Sequence, residues 1–171
     1  MTSKIAFAVA AALAVSSCGQ NDSTANTSNP AADNQTAATE EAQADTYNWG
    51  AAPPVFPAGA QMAVLHGDPT KSGTFVVRLR FPANYQVAAH YHPTDEHVTI
   101  ISGEMSLGMG DKLDRAKANT MKPGGYVAMP AKMSHYVWTD SGVVLQVQAE
   151  GPFALTYINP ADDPTRQAQT Q

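Results

Sequence analysis

Apolar and polar residues alternate in short runs through the middle of this 171-residue chain. The clearest run is Thr74–Phe81, TFVVRLRF. Phe75, Val77, Leu79 and Phe81 fall on one face, and Arg78 and Arg80 fall on the other. That period of two predicts a half-buried strand. Pro82-Ala83-Asn84 then breaks it. Similar runs recur at Met62–Leu65, Val87–His92, Glu96–Ile101, Glu104–Met109, Thr120–Lys122, Tyr126–Met129, Ser134–Thr139, Val143–Ala149 and Phe153–Ile158. Gly, Pro, Asn, Asp and Ser separate them. Asp111–Ala118 reads as weak helix or loop. No internal repeat and no long helical period is present. Many short strands with Gly and Pro turns predict an all-β sandwich or barrel.

The ends follow a different pattern. Lys4 precedes an apolar run from Ile5 to Val15, too short to span a bilayer and suited to the core of a signal peptide. Val15-Ser16-Ser17-Cys18 follows, and Cys18 is the only cysteine. The arrangement resembles a bacterial lipobox. It implies a signal peptide over 1–17, cleavage before Cys18, lipid on that cysteine and a membrane anchor in the cell envelope or periplasm. Gly19 stands where Asp commonly retains lipoproteins at an inner membrane, which leaves an outer-membrane address open. Residues 19–46 hold no aromatic and no large aliphatic residue. They cannot bury enough apolar surface to offset their ordering entropy. With Cys18 they read as a flexible linker over 18–46, with a reach on the order of 30 Å. The folded domain is expected over 47–160 and a flexible tail over 161–171. A lone cysteine leaves no internal disulfide, so a core must hold the domain together, aided by any bound metal.

The formal charge is −5, from 10 basic and 15 acidic residues. That excess of acid argues against nucleic acid as a partner, since no basic face is available for phosphates. An exported chain also has no access to cytosolic nucleotide pools, which points to a small-molecule ligand or substrate and a cofactor-poor reaction.

Candidate chemistry is concentrated in HYHPTDEH, residues 90–97, which carries three of the five histidines. On a strand, His90 and His92 point to the same face. Pro93-Thr94-Asp95 reads as a turn, after which Glu96 can fold back onto the same ion. His135, on a distant predicted strand with Val137 and Thr139 on its face, could supply a fourth ligand. Three imidazoles and a carboxylate suit one divalent Mn, Fe, Co, Ni or Zn, and the ligand types alone do not choose. Loading outside the cytosol, where ferrous iron oxidises easily, favours Mn, Zn or Ni. Octahedral coordination would leave two positions for water, substrate or dioxygen, and tetrahedral coordination would close the site. Glu96 and His97 face opposite ways on a strand, so one of them reaches the ion. Glu96 adds a compensating charge and is favoured. His97 is then surface, outer-shell or the alternative ligand. His66, beside a Gly-Asp-Pro turn, reads as structural.

These residues resemble the cupin family. Its first motif has the form G-x5-H-x-H-x3,4-E-x6-G, and His90, His92, Glu96 and Gly103 fit it, with Asn84 in place of the first glycine. Its second has the form G-x5-P-x-G-x2-H-x3-N. Gly124, Pro130 and His135 fit it, with Lys132 for the inner glycine and Thr139 for the final Asn. Neither departure touches a candidate ligand. Within the family, HPTDEHVTIISG and AEGPF resemble small single-domain bacterial cupins of the type 2 kind. The resemblance implies a double-stranded β-helix, or jelly-roll barrel, and a metal site. It also implies a homodimer paired through sheet edges or faces.

The reaction stays open, because cupins include dioxygenases, isomerases and binding proteins. One reading is a metal-dependent oxidoreductase, dioxygenase or isomerase. Another is a non-catalytic metal- or ligand-binding sensor module, and a third is a structural jelly roll. Tyr85, Tyr91, Tyr136 and Trp138 are candidate supporting groups, with core or rim the commoner use. Met105, Met109, Met121, Met129 and Met133 suggest an adaptable apolar lining, although core filling is the more frequent role.

Overall fold

The computed structural model describes residues 47–167. The expected signal peptide, Cys18 and the expected linker lie outside the described residues. No helix among the described residues is long and apolar enough to cross a membrane.

Among the described residues, eleven strands form two antiparallel sheets. In chain order they are β1 Gly50–Ala51, β2 Gln61–His66, β3 Gly73–Phe81, β4 Tyr85–Tyr91, β5 Glu96–Gly103, β6 Met105–Met109, β7 Asn119–Met121, β8 Tyr126–Met129, β9 His135–Thr139, β10 Val143–Gly151 and β11 Thr156–Tyr157. One sheet has the order β1-β2-β3-β10-β5-β8, and the other has the order β11-β4-β9-β6-β7. Sequence neighbours repeatedly fall in different sheets: β4 and β5 face each other, as do β9 and β10. This is the jelly roll that the motifs implied.

The alternation in β3 does what its sequence predicts. Phe75, Val77, Leu79 and Phe81 are buried in the core with Leu145 and Val147 of β10. Arg78 and Arg80 lie on the outer face, where their guanidinium groups stack over Tyr47 and Trp49 at 4.3 and 4.1 Å from the ring centroids. The start of the described chain is thereby held along the six-stranded sheet by cation–π contacts.

Two segments differ from the sequence expectation, and a third, Asp111–Ala118, agrees with its reading as weak helix or loop. Phe153–Ile158 is a strand only at Thr156–Tyr157, because Phe153, Ala154 and Leu155 line an internal cavity instead of pairing along an edge. The expected flexible tail begins with a 3-10 turn at Pro160–Asp162, capped by the Asn159 side chain. One helical turn, α1 Pro164–Gln167, follows. Asp111–Ala118 holds a 3-10 turn at Arg115–Lys117, capped by Asp114.

The two positions where the motif exchanges glycine for another residue keep the glycine conformation. Asn84 has φ 59° and Lys132 has φ 64°. Asn accepts the left-handed region with little strain, whereas Lys does not. Lys132 is nonetheless placed there, with its backbone N–H donating to the His92 carbonyl at 2.8 Å. Gly103, at φ 75°, could not carry a side chain, since a Cβ would collide with the Gly142 carbonyl. Thr139, replacing the final Asn, is buried and accepts a hydrogen bond from the Gly142 N–H at 3.0 Å. Lys132→Gly is therefore expected to raise stability by about 0.5–1 kcal/mol. Gly103→Ala should lower it by more than about 1 kcal/mol. Urea unfolding of both variants beside the parent checks the pair of signs.

Candidate metal centre

β4 does not bring its histidines inward as a regular strand would. Tyr85 and Val87 belong to the core between the sheets. A strict period of two from there would turn Ala89 and Tyr91 inward, and His90 and His92 outward. The pairing with β9 slips by one residue: Val87 faces Val137, but His90 faces His135. This β-bulge reverses the phase, as bulges beside functional sites do. Ala89 consequently packs with Tyr136 and Trp138 on the outer side of the sheet. His90 and His92 line the cavity.

Glu96 opens β5, opposite Met129 of β8 and Ala149 of β10, and His135 opens β9. The four side chains meet. His90, His92, Glu96 and His135 are all buried, at 4, 5, 7 and 2 % exposure. Nitrogens of the three imidazoles lie within 4.8 Å of one another. Glu96 Oε2 stands 3.6 Å from His92 Nε2 and 3.5 Å from His135 Nε2.

The hydrogen bonds select the tautomers. Nδ1 of His90 lies 2.7 Å from the Ala88 carbonyl, Nδ1 of His92 lies 2.8 Å from that of Ala154, and Nδ1 of His135 lies 3.0 Å from that of Met133. A carbonyl oxygen only accepts, so each Nδ1 carries the proton and donates it. Each Nε2 is left with a free lone pair. Carbonyl-bound imidazoles of this kind are the usual support of metal-binding histidines. Phe153 fixes the His92 ring from one side, stacked at 4.3 Å between centroids.

Burial shapes the electrostatics. Desolvation holds His90 well below the usual imidazole range, aided by His135 and His92. It pushes His92 down to about 4 and also lowers His135. It pushes the Glu96 carboxyl up to about 8. The imidazoles are thus neutral ligands at neutral pH, and Glu96 holds a proton until a cation replaces it. No Lys or Arg lines the cavity to answer these lone pairs. Ligand atoms about 2.1 Å from one ion stand roughly 3–3.5 Å apart; the Glu96 contacts, at 3.6 and 3.5 Å, lie close to that spacing, and the imidazole nitrogens lie within 4.8 Å of one another. The donor set therefore fits a divalent metal, and which ion binds is not determined by it.

The other sequence candidates lie elsewhere. His97 faces outward from β5, with Nδ1 2.6 Å from the Tyr126 hydroxyl and the two rings stacked. His66 is exposed at the end of β2. Tyr136 and Trp138 form a separate outer cluster covered by Leu113, Ala118 and Ile158. Gly108 leaves space for the Tyr136 ring, which a Cβ there would strike. Tyr91 is half-buried. Met105 and Met129 do line the cavity, whereas Met109 and Met133 are exposed.

Sequence reasoning passed over Pro53, Val55 and Phe56, which form part of the cavity wall. Two buried tyrosines hold that segment. Tyr85 donates to the Pro57 carbonyl at 2.6 Å, and Tyr157 donates to that of Val55 at 2.9 Å. Burial pushes the Tyr157 phenol up to about 12, and that of Tyr85 higher still, so both remain donors. The Pro-Pro-Val-Phe-Pro stretch was the one available signal, an apolar cluster between the expected linker and β2.

Metal binding must displace the Glu96 proton. Below its pKa of about 8, affinity should rise about tenfold per pH unit and one proton should leave. Above it, affinity should level off. The metal-free protein should show the opposite trend between about 6.5 and 8, where Glu96 is protonated when folded and ionised when unfolded and stability falls as pH rises. Below that window the three histidines, neutral when folded and charged when unfolded, make stability rise with pH. Calorimetric metal titrations in buffers of different ionisation enthalpy count the proton. A pH-independent affinity between 6 and 8 would exclude Glu96 from this role.

Among proteins of curated function, none matches the sequence. Solved structures do match the fold. The polyketide cyclase RemF from Streptomyces resistomycificus is 16 % identical, with a TM-score of 0.57 over 71 % of this chain and 88 % of that one. The DMSP lyase DddQ from Ruegeria pomeroyi DSS-3 is 20 % identical, with a TM-score of 0.52 over 65 % of this chain and 60 % of that one. An RmlC-like cupin from Shewanella frigidimarina is 14 % identical, at 0.49 over 60 % and 84 %. The family described as DUF4437, a domain of unknown function, matches residues 15–156. With its two motifs meeting inside a jelly roll, a fold shared with these solved structures, the chain belongs to the DUF4437 family.

Proposed function

We propose that this protein is a cell-envelope metallocupin that takes a small molecule at a divalent metal held by His90, His92, Glu96 and His135. The observation that carries the reading is the set of three Nδ1–H···O=C hydrogen bonds, which leave three Nε2 lone pairs in one cluster of imidazoles, with Glu96 Oε2 beside two of them. When bound, such an ion supplies Lewis-acid polarisation of a ligand oxygen.

The remaining residues bind and shield. The site lies in the wall of a cavity of about 250 Å³ between the sheets. Val55 and Phe56 form part of its wall, and the Val55–Pro57 backbone is held there by Tyr85 and Tyr157. Among the described residues, no acid–base side chain other than the four candidate ligands lines the cavity. Any reaction therefore relies on the metal and on Glu96, and the same observation equally supports a binding or sensing role without turnover. Export and lipid attachment at Cys18 complete the proposal, on the strength of the apolar run Ile5–Val15 and the Val-Ser-Ser-Cys stretch.

Metal analysis by plasma mass spectrometry tests the site. The full chain, purified without chelators or affinity metals, is expected to hold near one equivalent of one metal. His90→Ala/His92→Ala should hold none while keeping its β-sheet circular dichroism. No uptake after incubation with Mn, Fe, Co, Ni and Zn would end the metallocupin reading. For the anchor, radiolabelled palmitate should enter the wild-type chain in a bacterial host and not Cys18→Ser. Equal labelling of the two would remove the anchor from the proposal.

A further inference from the structure

The chemistry of the cavity wall limits what can share it with the metal. This inference rests on the metal reading above. Apart from the four candidate ligands, the only lining residue with a polar side chain among the described residues is Thr70. Its hydroxyl is already committed, donating to Asp68 Oδ1 at 2.7 Å. Phe75, Val77, Leu145, Val147, Phe153 and Leu155 typify the rest. No Lys, Arg, Ser, Asn or Gln is among the lining residues. A ligand with hydroxyl groups or a second charge would leave them without partners in an apolar environment, which is strongly unfavourable.

Charge sets the head group. A divalent ion and an ionised Glu96 leave one positive charge, buried between the sheets with no further carboxylate in the wall. One anionic oxygen group on the ligand neutralises it, and a buried charge is tolerated only when so paired. Size sets the body. An engineered apolar cavity of about 150 Å³ accommodates benzene. By proportion, about 250 Å³ accommodates roughly ten non-hydrogen atoms.

We infer that the cavity takes a monoanion with a single oxyanion head on the metal and an unsubstituted apolar body of about eight carbons. Medium-chain and aromatic monocarboxylates, and enolates of similar shape, share this chemistry. Sugars, phosphates and dicarboxylates are excluded by the wall rather than by the metal.

Straight-chain monocarboxylates from butanoate to dodecanoate serve as probes, titrated by calorimetry into the full chain loaded with zinc. Zinc content is measured on the same samples. Affinity is expected to rise about fourfold per methylene up to about octanoate, and to stop rising beyond it. Octanedioate should bind more than about tenfold weaker than octanoate, because its second carboxylate meets no partner. Val147→Phe, which fills the cavity, should keep its zinc and lose octanoate. If that variant does not fold, the chain-length series decides alone. Zinc bound but no chain-length dependence, or octanedioate equal to octanoate, would overturn the ligand class and leave the metal site standing. Octanoate bound equally well without zinc would overturn the role of the oxyanion head. Absence of zinc uptake would remove the metal reading and this inference together.

Discussion

Three imidazoles and a carboxyl group lie buried between two sheets whose other inward residues are almost all apolar. Leaving a polar group unpaired in such surroundings is expensive. The fold meets that cost at the backbone. The carbonyls of Ala88, Met133 and Ala154 each take one Nδ1–H. Two of those carbonyls are local, two residues before the histidine they hold. The third comes from the segment between β10 and β11, so the tautomer of His92 depends on residues far along the chain. The same bonds that satisfy the donors aim the lone pairs.

The β4 bulge is the second element of this arrangement. β4 must contribute Val87 to the core and, a few residues later, histidines to the same cavity. A regular strand could not do both with this spacing. One extra residue near Ala88 allows it, and its cost is a short loss of pairing with β9. β9 is buried on both faces as a result of its position: His135 and Val137 face the cavity, and Tyr136 and Trp138 face a smaller outer core. Its side chains have little freedom, which suits a strand that opens with a site residue.

The metal-binding and ligand-binding parts of the cavity are divided by chemistry. One end presents lone pairs, and the remainder presents aliphatic and aromatic surface. The lining comes from inward residues of both sheets together with the Pro53–Phe56 segment and Phe153–Leu155. Segments outside the sheets therefore help shape a space that the sheets alone would leave more open.

Much of this was legible in the chain. The period of two in Thr74–Phe81 specified the core face of β3, because side chains on a strand alternate whatever surrounds them. HYHPTDEH and His135 marked the site, since that density of metal-binding groups has few other uses. Asn84 was legible as a left-handed position, because Asn tolerates one. Lys132 was legible only through the motif, as nothing intrinsic to lysine favours φ 64°. The choice between Glu96 and His97 was a parity question on β5, resolved once Val98 and Ile100 were seen in the core. Tertiary structure alone decided the rest. The bulge depends on pairing with β9, so no local pattern announces it. The tautomers depend on where carbonyls arrive in space. The wall from Pro53 to Phe56 and from Phe153 to Leu155 is irregular backbone, which carries no periodicity and takes its shape from what it covers. The sequence by itself determined which faces are apolar and which residue types could bind a metal, because those are properties of single residues and of strand geometry. Convergence, tautomer and cavity are relations between distant segments, and only the folded chain contains them.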